Sequence, residues 1–333
     1  MSRSPPELRL AASSTSAASA AESAEQVLRR LEWTVLRRLD GLLQGNHRTL
    51  MRGNGMDLAD LREYQLHDDV RHIDWNVTAR LSQPHVRVFT EDREMSAWFL
   101  LDLSASLDFG SGLQRKKDLS RDFVAVLARM LTREGNRVGA LLYGAGVDTQ
   151  VPARSGRPQV LQLLHRLQHR PPHAGTATRL HELLGAATHQ LKRRATVFVV
   201  SDFISEPGWE KPLSQLVRRH EVVLVRLLDP LELELPNLGL IPMRDAESGE
   251  VLMVDTGDKG FRQRFAQLAQ AREAQFMDAI VKAGVDALEL RTDDDLLDAL
   301  VRFCALRKRR VQSRASGTGR ASAWPAPTAS AAA

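Results

Sequence analysis

Two runs in this chain leave little freedom in how it can fold. Ala97-Trp98-Phe99-Leu100-Leu101 ends on Asp102-Leu103-Ser104-Ala105-Ser106, and Thr196-Val197-Phe198-Val199-Val200-Ser201 ends on Asp202. A continuous apolar run of this length, bounded by small polar residues, reads as a strand buried on both faces. Such a strand needs helices above and below its sheet, and the order along the chain supplies them. Helical spacing runs through Leu119, Phe123, Val126, Leu127 and Met130 in 115–133, and recurs in 160–167, 180–191, 213–219, 259–282 and 296–309. Strand patterns lie at 138–143, 222–228 and 285–290, with 147–151 a candidate hairpin partner and 252–254 a short strand. The alternation predicts an α/β fold, a doubly wound, mainly parallel sheet with helices on both faces.

The remaining segments organise around that core. Residues 1–21 are rich in Ser and Ala and are expected to be disordered. Val27, Leu31, Val35, Leu39 and Leu42 form a helical stripe within 22–43, and the interspersed Glu22, Glu25, Glu32 and Asp40 favour docking on the domain over lying on a membrane. The expected division is an N-terminal helix and extension over 22–94, an α/β domain over 95–309 and a disordered tail over 310–333. Within the domain, 235–256 breaks the rhythm with Pro236, Gly239, Pro242 and Gly249, and reads as a hairpin-like insertion.

Composition excludes some classes of function. Cys304 is the one cysteine, which rules out an internal disulfide and any cysteine-built metal site. No run approaches the roughly 18 apolar residues of a membrane span, and the N-terminus has no apolar core of a secretory signal. A cytoplasmic address is the expectation. The net charge of +5 owes much to Arg307-Lys308-Arg309-Arg310, with Arg314 and Arg320 beyond. No aromatic residues are interleaved there, so a solvated helix end is favoured over a dedicated nucleic-acid site.

Chemistry concentrates where the two apolar strands stop. Asp102, Ser104 and Ser106 follow one strand and Asp202 the other, while Thr176 lies in the turn Gly175-Thr176. In α/β folds the C-terminal rim of the sheet is where ligands bind. Two carboxylates and three hydroxyls suit a hard cation, Mg²⁺ or Mn²⁺, if water and an outside ligand complete the shell. Taken singly, each residue reads equally well as a strand-end or helix cap. Covalent catalysis is poorly served, since neither serine sits in a Gly-x-Ser-x-Gly frame. The run from Gly110 to Lys117 lacks the second glycine and the Lys-Ser/Thr ending of a phosphate loop. A phosphohydrolase with a strand-end Asp nucleophile would need a second acid two residues on, where Ser104 stands.

These residues resemble the metal-ion-dependent adhesion site of von Willebrand factor type A domains. The stretch 61–80, LREYQLHDDVRHIDWNVTAR, resembles the signature of the bacterial domain-of-unknown-function 58 family, which precedes a von Willebrand A-like domain. The similarity spans about residues 48–306, with one departure: His67 stands where the family usually has glycine. The resemblance implies Ser104, Ser106 and Thr176 as neutral ligands and Asp102 and Asp202 as anionic ones. It implies a metal-dependent protein-interaction module rather than an enzyme, its ion completed by an acidic side chain from a partner. It also implies an adaptor or partner of a MoxR-type AAA+ ATPase in complex assembly or maturation. The alternatives are a Mg²⁺-dependent phosphohydrolase and a basic nucleic-acid-binding protein. In the signature, Arg62, Tyr64, Asp68, Asp69, Arg71, Asp74, Trp75 and Arg80 form either an ion-paired scaffold or a partner surface. The mixed charges favour scaffold, with Trp75 a core anchor and Asp68 or Asp69 capping a short helix that carries Val70, Ile73 and Val77. His67, His72 and His85 read as ordinary histidines without metal spacing.

Overall fold

The computed structural model describes residues 23–39, 58–65, 68, 70, 73–89, 96–112, 114–169, 178–244 and 250–315. Helix α1 (Ala24–Leu31) starts at a capping box made by Ser23 and Gln26 and continues through a π-helical turn over Glu32–Leu36. Its stripe of Val27, Leu28 and Leu31 is buried, and Arg30, Glu32 and Glu25 bond to Asp122, Arg129 and Arg157 at 2.9, 2.7 and 2.6 Å. The helix therefore docks on the domain, as its interspersed acids required.

Strand β1 (Leu58–Glu63) pairs antiparallel with β2 (His85–Phe89), and helix α2 (Trp75–Leu81) lies between them in sequence. This ribbon is absent from the expected strands. Asp74 caps α2, its Oδ1 accepting from the amides of Asn76 and Val77 at 3.0 and 3.2 Å. The cap of α2 is thus Asp74 and not Asp68, Asp69 lies outside the described residues, and the helix begins later than expected. Because Asp74 turns inward as the cap, the next residue faces out. Trp75 is 70% exposed, which corrects its reading as a core anchor, and Val70 is exposed as well.

The central sheet is built from β3 (Ser96–Asp102), β4 (Arg137–Tyr143), β5 (Val147–Arg154), β6 (Thr196–Ser201), β7 (Glu221–Leu228) and β10 (Asp286–Arg291). Their spatial order is β10-β7-β6-β3-β4-β5, parallel throughout except for the β4–β5 hairpin. Alternate residues face opposite layers. Phe99, Leu101, Phe198 and Val200 pack with α1, α3 (Lys116–Arg133), α4 (Arg157–Gln168) and α8 (Leu296–Ala315). Leu100, Val197 and Val199 pack with α5 (Leu180–Gln190), α6 (Glu210–Val217) and α7 (Lys259–Ala283). Helix α8 runs past its expected end at 309, since the Arg, Val, Gln and Ala residues that follow are compatible with helix.

Strands β8 (Leu240–Arg244) and β9 (Val251–Asp255) form the expected hairpin, a separate antiparallel ribbon with Leu240, Val251, Leu252 and Met253 exposed. Among the described residues no helix is long and apolar enough to cross a membrane. What matters most for function is a reversal of direction. From β3 the chain passes through α3 to β4 on one side, while β6 lies on the other side of β3. The C-terminal ends of β3 and β6 therefore border the topological switch point, where open α/β sheets form a crevice.

Candidate functional site

Parallel pairing of β3 with β6, Leu101 opposite Val200, brings Asp102 and Ser201 side by side at that crevice. The Ser201 hydroxyl donates to Asp102 Oδ2 at 2.7 Å and accepts from the amide of Phe203 at 3.0 Å, tying both strand-end loops together. Asp102 Oδ1 accepts from the Ser104 amide at 2.9 Å, which bends the chain into a short 3-10 turn over Ala105–Asp108. That turn brings Ser104 Oγ within 3.0 Å of Ser106 Oγ. Asp202 is held by the Ile204 amide, 3.0 Å from its Oδ1, and by the Lys116 ammonium, 2.7 Å from its Oδ2. Phe203 takes a left-handed backbone (φ 58°), rare for a bulky side chain, with its ring against Trp209 and Phe276.

The four site residues that lie among the described ones, Asp102, Ser104, Ser106 and Asp202, are all buried at this rim. Thr176 lies outside the described residues. The Thr178 carbonyl accepts from the Glu206 amide and the Ser205 hydroxyl, both at 2.9 Å, so Thr178 lies against the loop after β6. In the signature, Arg62 bonds Asp68 at 2.6 Å, and Asp68 also accepts from the Gln65 amide at 2.8 Å, an ion-paired scaffold contact. Tyr64 is half-buried and Arg80 exposed, while His67, Asp69, Arg71 and His72 lie outside the described residues. His85 Nδ1 is 2.8 Å from the Gln83 carbonyl, a local structural contact.

Two participants escaped the sequence reading. Lys116 is fully buried and donates to Asp202 and to Glu232 Oε1 at 2.7 and 2.6 Å. Burial alone would lower its pKa, but the two carboxylates outweigh that and hold it above the ordinary lysine value. Burial raises Glu232 against the opposing pull of Lys116. Asp102 is pushed up to about 6, first by burial and then by the nearby charge of Asp202, despite hydrogen bonds from Ser201 and Ser104. The rim therefore holds a surplus of buried negative charge.

The donor set fits a small hard cation. An octahedral ion with oxygens 2.0–2.1 Å away places neighbouring ligands about 2.9 Å apart, and the two serine oxygens stand 3.0 Å apart. Each hydroxyl oxygen has two lone pairs, so each can serve its neighbour and a ligand together. Among the described residues no three His, Cys, Asp or Glu side chains are grouped to hold a metal. A cation here would rest on hydroxyls as much as on carboxylates.

Fold and rim together define an α/β domain with an oxygen-lined site at the switch point of its sheet. The chain belongs to the family described as protein of unknown function DUF58, whose sequence pattern matches residues 60–275. It is 40% identical over 283 residues to the uncharacterised protein Rv1480 of Mycobacterium tuberculosis, covering 85% of this chain and 89% of that one. An uncharacterised Mycobacterium avium protein, MAV169, is 36% identical over 162 residues, 48% of this chain and 95% of the other. Similar solved structures include the conserved hypothetical protein BatB of Bacteroides thetaiotaomicron, at 16% identity and TM-score 0.41, covering 65% of this chain and 99% of that one. The SpRpn10 VWA domain is similar at 14% identity and TM-score 0.37, covering 62% of this chain and 94% of that domain.

Proposed function

We propose that this chain is a metal-dependent protein-interaction module. Ser104, Ser106 and Asp102 would hold Mg²⁺ or Mn²⁺, with Asp202 contributing directly or through water and Thr176 as the further ligand implied by the family resemblance. The ion supplies an electrophilic point of attachment for a carboxylate, and the protein's part is to fix the shell and keep it short of anions. The observation that carries this reading is the pair of serine oxygens 3.0 Å apart beside a buried, hydrogen-bonded Asp102. The partner class is the MoxR-type AAA+ ATPase, in cytoplasmic assembly or maturation of protein complexes, on the strength of the resemblance alone.

Capture of a purified MoxR-type ATPase by the immobilised full-length chain tests the reading. Binding is expected with Mg²⁺, and is expected to fall about tenfold or more with chelator or with Asp102→Ala/Ser104→Ala, as when a charge-assisted contact is removed. High salt should weaken it only partly, since inner-sphere contacts are screened less than distant charges. A contact made through the basic tail would instead fail in salt and tolerate chelator. The purified chain is also expected to turn over neither ATP nor phosphate esters, because Ser104 occupies the position where a hydrolase needs its acid. Turnover abolished by Asp102→Asn would favour the phosphohydrolase.

A further inference from the structure

Lys116 stands where a lysine is least comfortable. It is the first residue of α3, against the positive end of the helix dipole, and its side chain has no solvent exposure. A buried ammonium is tolerated only when carboxylates and good geometry compensate it. Both partners come from far along the chain. Asp202 directly follows β6, and Glu232 belongs to a 3-10 turn over Pro230–Glu232 that follows β7. Glu232 is itself fixed, its Oε2 accepting from the Asp229 amide at 3.1 Å while Oε1 accepts from Lys116. Asp229 Oδ2 in turn accepts from Ser111 and Thr292, locking this turn to the loop before α3.

The informative feature is an asymmetry between the two strand-end carboxylates. Asp102 accepts hydrogen bonds from the neutral Ser201 hydroxyl and Ser104 amide, and has no cationic partner among the described residues. Asp202 shares a full positive charge with Glu232 through Lys116. A salt bridge that merely joined α3 to the sheet would not need to end on a site carboxylate.

We propose that Lys116 is the built-in counter-charge of the rim: by compensating Asp202 it limits the site's affinity for a divalent ion and leaves that ion's positive charge for an acidic ligand. The inference rests on the reading of the rim as a cation site. Its consequence is a division of labour, in which Asp102 and the two serines bind and Lys116 acts through Asp202 as a positioning residue. Without the ammonium, Asp202 and Glu232 would both face the ion uncompensated. The ion would then be gripped more tightly and would attract a further carboxylate less.

Mn²⁺ alone is the probe, titrated into the full-length chain with free Mn²⁺ read by electron paramagnetic resonance. Lys116→Met is expected to bind Mn²⁺ about tenfold or more tightly than the natural chain, since the positive charge paired with Asp202 is gone. Glu232→Gln is expected to move the other way, because Lys116 then spends its whole charge on Asp202. Lys116→Arg should bind as the natural chain does, and Ser104→Ala/Ser106→Ala should abolish binding in every background. Opposite shifts from removing the two halves of one ion pair are not expected of a structural bridge. If the natural chain binds through the serines but Lys116→Met, folded by circular dichroism, binds equally or more weakly, the counter-charge role is overturned and the cation site stands. If Mn²⁺ binding is absent or indifferent to the serines, the cation site fails and this inference with it. Should Lys116→Met not fold, Glu232→Gln decides: weaker binding supports the role, and unchanged or tighter binding overturns it.

Discussion

Asp102→Asn is expected to make the metal-free protein more stable at pH 8, by about 1–3 kcal/mol, although it removes a site residue. Burial and the neighbouring Asp202 push the folded carboxyl up to about 6, above the ordinary Asp value of 3.8. A raised carboxylate pKa means that the folded state binds the proton more tightly than the unfolded one. The cost of ionising Asp102 is therefore absent in acid, grows as the pH passes from the ordinary value up to the raised one, and is fully present above it. Asparagine keeps the acceptor for the Ser104 amide and carries no charge toward Asp202. Urea denaturation of both proteins in chelator should show the gap opening between pH 4 and pH 6, roughly the interval between the two pKa values. Added Mg²⁺ should then stabilise the natural chain and leave the Asn variant unmoved. A variant less stable than the natural chain at pH 8 would mean that hydrogen bonding, and not charge, governs this position.

The second large effect lies beneath the site. Phe198 in β6 is buried, its ring stacked on Phe99 at 5.4 Å and edge-on to Phe123 at 6.4 Å. These rings join β3, β6 and α3, the three elements that deliver Asp102, Asp202 and Lys116. Phe198→Ala is expected to cost about 3–5 kcal/mol, through lost burial and a cavity that sheet and helix cannot close. Chemical denaturation with an unchanged m-value checks it, and a loss below about 1 kcal/mol would show a core loose enough to refill.

How much of this was legible in the sequence depends on the range of the interaction. The sheet was, because Val197–Val200 and Phe99–Leu101 are apolar on both faces and such runs have few other homes. Asp102 and Asp202 followed, since a charged residue directly after a buried strand must sit at its rim. Lys116 did not. Flanked by Arg115 and Lys117 it reads as one of three solvated cations, and its partners lie 86 and 116 residues away. The β1–β2 ribbon was missed for a related reason: Leu58–Glu63 mixes charges and aliphatics, and its pairing with His85–Phe89 is fixed by cross-strand register that no local pattern carries. Trp75 misled because aromatic residues are usually buried, whereas here the inward turn of the Asp74 cap points it outward.

Arg62 and Asp68 pair with each other, which is scaffold, while Trp75 faces solvent on a helix with no buried residue.

The most direct test of the central claim is a crystal of the full-length chain grown with Mn²⁺ and measured at an energy where manganese scatters anomalously. The account predicts an anomalous peak bonded to Ser104 Oγ and Ser106 Oγ, roughly 2.0–2.2 Å from each, on the rim beside Asp102. A saturated crystal with no peak there, or with its peak on other residues, would contradict it.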